Sequence, residues 1–334
     1  MSKILITGGS GCIGAATIFQ LLQSSAIDEI IVASRSADKG PLELWFGKEL
    51  DPRLKFVTLD LSDFETMERI VLDINPTHII HLGAFQSPDC AEFHQRGMHI
   101  NVAGTMALFD IAEKLPNLQR FVFASSAAVY GMRAMYPEPG ITEDAQLAPP
   151  NHYGAWKLAG EHLARLFHDK TKVPTVCLRL NTTFGKGRDR GKTAAPTEAL
   201  KTVARAAVAG EIVPFEMPYK GRENYHYVED VGLHFATCTT EPFSGFDSFN
   251  IIGETIDIKD FLEIVRQQAE KLGIGKYAQL SIAADAEDNL FVSDLSHQKI
   301  QQAFPTLKQT PIAQGVAQAL LDFQAMAQSA VLSV

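Results

Sequence analysis

Apolar and polar positions alternate in a regular rhythm along the first half of the chain. Short β-branched or apolar runs stand at 3–7, 29–33, 55–58, 78–82, 120–124 and 175–180. Between them apolar residues recur at helical spacing over 13–23, 64–74, 98–114 and 153–170. Strands separated by helix-length connections predict βαβ units, and hence a parallel sheet covered by helices on both faces. Pro76, Pro116 and Pro174 close three of the helices, because proline lacks the N–H that would continue them. From about Phe184 the rhythm loosens into a basic loop at 185–192, helices near 198–209, 258–271 and 311–327, and a short run at 225–228. The pattern predicts an α/β protein with a doubly wound sheet over 1–181 and a returning segment near 224–252. A smaller C-terminal α/β substrate lobe is expected from 182–223 and 253–334. No repeat or Ser/Gly linker separates the two parts, so they are expected to pack together.

Composition narrows the class. The chain has 334 residues, 46% apolar and 21% charged, enough to bury a large core and unlike a disordered chain. Lys and Arg number 30 against 39 Asp and Glu, for a net charge of −9, so neither nucleic acid nor an anionic membrane is an expected partner. The apolar runs fall far short of the roughly 18 residues of a membrane span. Ser2 and Lys3 lead straight into Ile4–Ile6, which leaves no room for a secretory leader and sets a cytoplasmic expectation. Cys12, Cys90, Cys177 and Cys238 form no C-x-x-C pair and are expected as free thiols. The histidines, among them His78, His81, His94 and His99, show no metal-ligand spacing, so no metal is expected.

Thr7-Gly8-Gly9-Ser10-Gly11-Cys12-Ile13-Gly14 follows the first predicted strand and opens a helix. Glycines there allow a tight turn, close approach of a pyrophosphate to backbone N–H groups, and close packing of helix on strand. The helix N-terminus favours the anion. Gly8, Ser10, Gly11, Cys12, Ile13 and Gly14 are therefore candidate cofactor residues of a Rossmann-type dinucleotide site. The second strand ends at Ser34-Arg35-Ser36 rather than at a carboxylate. A carboxylate there would repel a 2′-phosphate, whereas Arg35 flanked by two hydroxyls can bind it, which favours NADP(H) and leaves NAD(H) possible. Asp60, after the third strand, either accepts from the adenine amino group or caps the next helix together with Ser62 and Asp63.

Tyr153 and Lys157 stand four residues apart and share one helix face. A free phenol is a weak base at neutral pH, and a nearby ammonium favours its ionised form. The apolar strand at 121–124 ends in Ser125 and Ser126 near the carboxyl edge of the sheet, where open α/β sheets bind ligands. A serine hydroxyl there can hydrogen-bond a reacting oxygen.

TGGSGCIG, LDLSD, HIIHLGA, NVAGT, FASSAAVYG, YGAWK and Arg179 in CLRLNTTFG occur in this order over most of the chain. The combination resembles the extended short-chain dehydrogenase/reductase superfamily, in particular the NAD-dependent epimerase/dehydratase group typified by the UDP-glucose 4-epimerases. The resemblance implies that Ser126 is the catalytic hydroxyl, Tyr153 the acid/base and Lys157 its partner, with Lys157 also on the nicotinamide ribose. It implies that Leu61, Leu82, Gly83, Ala84 and Asn101 line the cofactor. It also implies a homodimer formed by helices beginning near Phe93 and Tyr153.

Three departures bear on the reaction. Dehydratases of this kind carry an acidic pair just after the catalytic hydroxyl, where elimination of water needs an acid and a base. This chain has Ala127-Ala128, which argues against dehydration. Where many nucleotide-sugar enzymes have Asn three residues after the arginine, this chain has Thr182, with Asn181 before it. Arg222 lies one position out of register with the corresponding family segment. The expected activity is hydride exchange between NAD(P) and a secondary alcohol or ketone of a sugar-like small molecule. Its pocket is expected from Phe85, Gln86, Ser87, Ser126, His152 and Asn181, with Arg188, Arg190 and Thr193 on the basic loop, which either closes over an anionic group or is a solvated lid. An NAD-retaining sugar epimerase is the alternative, and a noncatalytic NADP-binding sensor a more remote one.

Overall fold

A computed structural model describes residues 2–36, 39–86 and 89–329. The chain begins with β1 (Lys3–Thr7), α1 (Cys12–Leu21), β2 (Glu29–Ser34), α2 (Gly40–Phe46), β3 (Leu54–Thr58), α3 (Phe64–Ile74) and β4 (His78–His81). It continues through α4 (Asp89–Glu92), α5 (His94–Met98), a π-helical stretch over His99–Gly104 and α6 (Thr105–Ala112). Next come β5 (Arg120–Ser126), α7 (His152–Thr171), β6 (Thr175–Leu180), β7 (Thr182–Phe184), α8 (Ala195–Ala209), β8 (Phe215–Lys220) and β9 (Arg222–Tyr227). The remainder is α9 (Val228–Thr240), β10 (Phe246–Asn250), β11 (Glu254–Asp257), α10 (Ile258–Lys271), β12 (Leu280–Asp288), α11 (Gln298–Ala303) and α12 (Ile312–Gln328).

Seven strands form one sheet in the order β10-β6-β5-β4-β1-β2-β3, with every neighbouring pair parallel. Successive residues of a strand point to opposite faces, and here both faces are apolar, as a parallel sheet requires. Ile4, Ile6, Ile30 and Val32 pack on one side, Leu5, Ile31, Ile79 and Phe121 on the other. This is the doubly wound Rossmann-type sheet that the strand and helix rhythm predicts. Its strand order reverses between β1 and β4, so a crevice opens at the carboxyl ends of those strands.

The lobe is built on two small sheets. β9 pairs in parallel with β7 and antiparallel with β11, while β8 and β12 form a separate parallel pair. Phe184, Tyr225 and Tyr227 join Phe261, Val265 and Phe323 in its core. The return to the large sheet is made by α9 and β10. Gly232 of α9 sits so close to α1 that a Cβ would lie 2.4 Å from the Ala16 carbonyl oxygen. Among the described residues no helix is long and apolar enough to cross a membrane. All four cysteines are free.

Candidate active site

The loop between β1 and α1 closes only with glycine. Gly8 has φ +69°, and a Cβ on it would lie 2.9 Å from the nitrogen of Gly83, two residues beyond β4. A Cβ on Gly14 would come within 2.4 Å of the Gly9 carbonyl oxygen. α1 begins after Gly11 with no side-chain cap and no acidic residue in its first turn, so no side chain competes for its first N–H groups. The cradle with its uncapped helix fits a dinucleotide pyrophosphate at Ser10, Gly11, Cys12 and Ile13. Leu61 packs beneath Gly83 and Gly104, and Leu82, Gly83 and Ala84 are half-buried at the crevice.

At the adenosine end, Ser34 Oγ donates to the Ser36 carbonyl at 2.6 Å, and Arg35 and Ser36 are exposed. Asp60 Oδ1 accepts from the Ser62 N–H at 2.8 Å and from Ser62 Oγ at 2.6 Å. Those bonds hold its carboxyl below the usual range, helped by the field of Arg35. Asp63 caps α3 by accepting from the Thr66 N–H. His81 bridges Thr7 at 2.7 Å and Thr105 at 3.0 Å, and burial drives its pKa down to about 3, so it ties β1 and β4 to α6 as a neutral ring. Asn101, on the π-helical stretch, accepts from the Phe85 N–H at 2.7 Å and donates to the Phe85 carbonyl at 2.8 Å. It thereby sets the path of the 85–86 segment at the crevice.

Ser126, Tyr153 and Lys157 are brought together by close backbone packing. Asn151 caps α7 by accepting from the Gly154 N–H at 2.9 Å, which fixes Tyr153 in the first turn. A Cβ on Gly154 would lie 2.0 Å from the Ala128 carbonyl oxygen, so the start of α7 rests on the turn just after Ser126. The Ser126 hydroxyl faces the Tyr153 phenol and favours its ionised form. It also accepts from the Ala128 N–H at 3.1 Å and lies 3.5 Å from the Leu180 carbonyl. The neighbouring Ser125 is buried and donates to Glu161 at 2.5 Å, which leaves Ser126 as the hydroxyl facing the crevice. Lys157 is buried, donates to the Ala124 carbonyl at 2.6 Å and lies 5.6 Å from the Tyr153 ring centre. Burial lowers its pKa to about 8. Burial also pushes the Tyr153 phenol up to about 12, while the field of Arg188 and the Ser126 hydroxyl pull the other way.

The other candidate substrate residues are more dispersed. Gln86 and His152 are exposed, and His152 stacks on His94 with ring centres 4.1 Å apart. Asn181 Nδ2 donates to the Val292 carbonyl at 3.0 Å. Arg188 is half-buried and donates to Thr193 Oγ1 at 2.5 Å, while Arg190 is exposed. Ser87 lies outside the described residues. The basic loop lies over the glycine cradle: Cys12 Sγ is 3.6 Å from the Lys186 carbonyl, and Lys186 Nζ lies 3.7 Å from Asp322 and 4.5 Å from the Trp45 ring centre. Two buried carboxylates near the site were not among the candidates read from the sequence. Glu161 forms a two-pronged pair with Arg179 at 2.9 and 2.7 Å, behind Ser125. Glu223 is buried in the lobe in the same strand register as Tyr225 and Tyr227, so a carboxylate in an apolar alternation was the available clue.

A sequence model described as the NAD dependent epimerase/dehydratase family matches residues 4–251. A dTDP-glucose 4,6-dehydratase of Neisseria gonorrhoeae is 25% identical over 277 residues, covering 79% of this chain and 76% of its own. A UDP-glucose 4-epimerase of Bacillus subtilis is 32% identical over 177 residues, 52% of this chain and 50% of that one. The crystal structure of a Thermus thermophilus UDP-glucose 4-epimerase in complex with NAD superposes with a TM-score of 0.76 at 23% identity, covering 96% of this chain and 99% of that one. At that identity the likeness speaks for the fold.

Proposed function

Because the chain belongs to the NAD dependent epimerase/dehydratase family, we propose that it moves hydride between a nicotinamide cofactor and a secondary alcohol or ketone of a sugar-like substrate. The catalytic residues of this reading are Ser126, Tyr153 and Lys157. The observation that carries it is the close approach of Gly154 to Ala128, which sets Tyr153 against the turn after Ser126, with Lys157 one helical turn further on, beside the glycine cradle. In the oxidising direction Tyr153, as phenolate, takes the proton of the substrate hydroxyl while Ser126 donates a hydrogen bond to the same oxygen. In the reducing direction Tyr153 returns that proton to the carbonyl oxygen. Lys157 supplies positive charge that favours the phenolate and a donor for ribose hydroxyls. When bound, the oxidised nicotinamide accepts the hydride, and its positive charge adds to the pull on the phenol. Ala127 and Ala128 offer no acid or base beside Ser126, which supports net redox chemistry over elimination of water.

The exposed Arg35 between Ser34 and Ser36 supports NADP(H) as the exchangeable cofactor. A second reading is an epimerase that keeps NAD+ bound and returns the hydride to the other face. Closure of the Lys186 loop over Cys12 favours that reading, because a covered cradle retains its ligand. The test is nicotinamide absorbance after mixing the protein with each oxidised cofactor and a panel of secondary alcohols, in wild type and Tyr153→Phe. Turnover in wild type that is lost in the variant is expected, and full turnover in Tyr153→Phe would remove the acid/base assignment. We further propose a homodimer, supported by Met98, Met106 and Leu166, which are exposed on or next to α5, α6 and α7. Light scattering at twice the chain mass of 36.6 kDa is the expected result, and a monomer mass would contradict it.

A further inference from the structure

The inner face of the lobe buries polar atoms that no group among the described residues satisfies. Tyr219 Oη, Tyr225 Oη and Arg188 Nε are buried there without hydrogen-bond partners. Unpaired buried polar atoms are costly and rare, and several in one place mark a surface completed by something else. Glu223 lies among them, 5% exposed, acting electrostatically on both Tyr219 and Tyr225 and sitting against the Thr182 hydroxyl. Thr182 stands opposite Tyr225 in the β7–β9 register, so the two point to the same side of that sheet. The cluster continues into the catalytic centre. Thr182 is two residues beyond Leu180, whose carbonyl meets Ser126, and Arg188 acts on both Tyr153 and Tyr219.

The Glu223 carboxylate accepts from the Asn224 N–H at 3.2 Å and from Asn289 Nδ2 at 3.2 Å, and no ion pair to it occurs among the described residues. Burial pushes its pKa up to about 7. The bonds from Asn224 and Asn289 engage one carboxylate oxygen each and leave the two tyrosine hydroxyls unexplained.

We propose that Glu223, with Thr182, Tyr219 and Tyr225, is a recognition subsite that takes the hydroxyl groups of an uncharged polyhydroxylated substrate and excludes a phosphate or diphosphate from that place. Each sugar hydroxyl both donates and accepts, so one substrate can donate to the carboxylate and exchange hydrogen bonds with the tyrosines. A diphosphate brings acceptors and negative charge against a buried carboxylate that forms no ion pair among the described residues. The substrate class is thus a free polyol or sugar rather than a nucleoside diphosphate sugar of the kind named in the relatives. This inference rests on the hydride-transfer reading for where the reacting end of the substrate lies.

The test is calorimetric titration of the protein, saturated with NAD+ or NADP+, with UDP-glucose and with UDP. Wild type is expected to bind neither tighter than about 1 mM, and Glu223→Gln is expected to gain at least about tenfold in affinity for both. A purely structural Glu223 would give no such gain. Wild-type binding of UDP-glucose in the micromolar range overturns the proposal, as does a folded Glu223→Gln no better than wild type. The wild-type titration needs no variant, and a thermal melt shows whether Glu223→Gln is folded. The failure of this inference and that of the hydride-transfer reading are distinguishable: the titration reads binding alone, whereas the Tyr153→Phe assay reads nicotinamide absorbance.

Discussion

Along the carboxyl edge of the large sheet, Ser125, Glu161, Arg179, Tyr130 and Asn250 form an unbroken run of hydrogen bonds of 2.5 to 2.9 Å. Across the crevice, Arg188, Tyr219 and Tyr225 bury polar atoms with no partner among the described residues, beside the Glu223 carboxylate, which forms no ion pair among those residues. The first region is finished by the chain itself, so the strand that presents Ser126 is held in place before any ligand arrives. The second is complementary to a ligand, and that is where selectivity among related substrates is to be sought. Preorganised catalytic groups and an unfinished binding face are two uses of buried polarity in one fold.

The largest expected effect breaks the catalytic side. Tyr153→Phe should lower turnover about 10²–10⁴-fold with an unchanged melt, because it removes a proton-transfer group and little packing. The next separates the two regions by stability. Arg179→Met strands the buried Glu161 charge and should cost about 3–5 kcal/mol in urea unfolding. Glu223→Gln strands nothing, and its effect should depend on pH. The folded pKa of Glu223 is raised from 4.5 to about 7, so the wild-type carboxyl contributes stability below 4.5 that is lost as pH rises through about 7. The variant should therefore gain on wild type across that window, and a constant difference would contradict the burial of the carboxylate. A separate effect is on the acid side. His81, His226 and His234 are buried and neutral, with pKa values lowered from 6.5 to about 3, about 3 and about 4. The unfolded chain takes up protons first, so stability should decline as pH falls below 6.5, visible as a dropping melting temperature.

The large sheet was readable because its signals are local. Apolar runs, the glycine loop and three prolines lie within a few residues of the features they determine. The site was readable in part. Tyr153 and Lys157 follow from helical spacing, but nothing local separates Ser125 from Ser126; burial of Ser125 against Glu161 does. The lobe was less readable because its contacts are distant in sequence. β8 and β12 pair in parallel although they lie far apart, and neither has an uninterrupted apolar face. The expected continuous helix over 98–114 contains a π-helical turn where Gly104 passes Leu61 so closely that a Cβ would be 2.5 Å from its carbonyl oxygen. Helical periodicity carries no record of such a contact.

The central claim is an exchangeable nicotinamide cofactor serving Tyr153, and its most direct test needs no substrate. Freshly purified protein is denatured, any released nucleotide is identified by chromatography, and the emptied protein is titrated with NAD+, NADH, NADP+ and NADPH. The account predicts little retained nucleotide and saturable binding of one cofactor per chain, with NADP(H) preferred. NAD+ retained at one per chain, or no binding of any of the four, would contradict it.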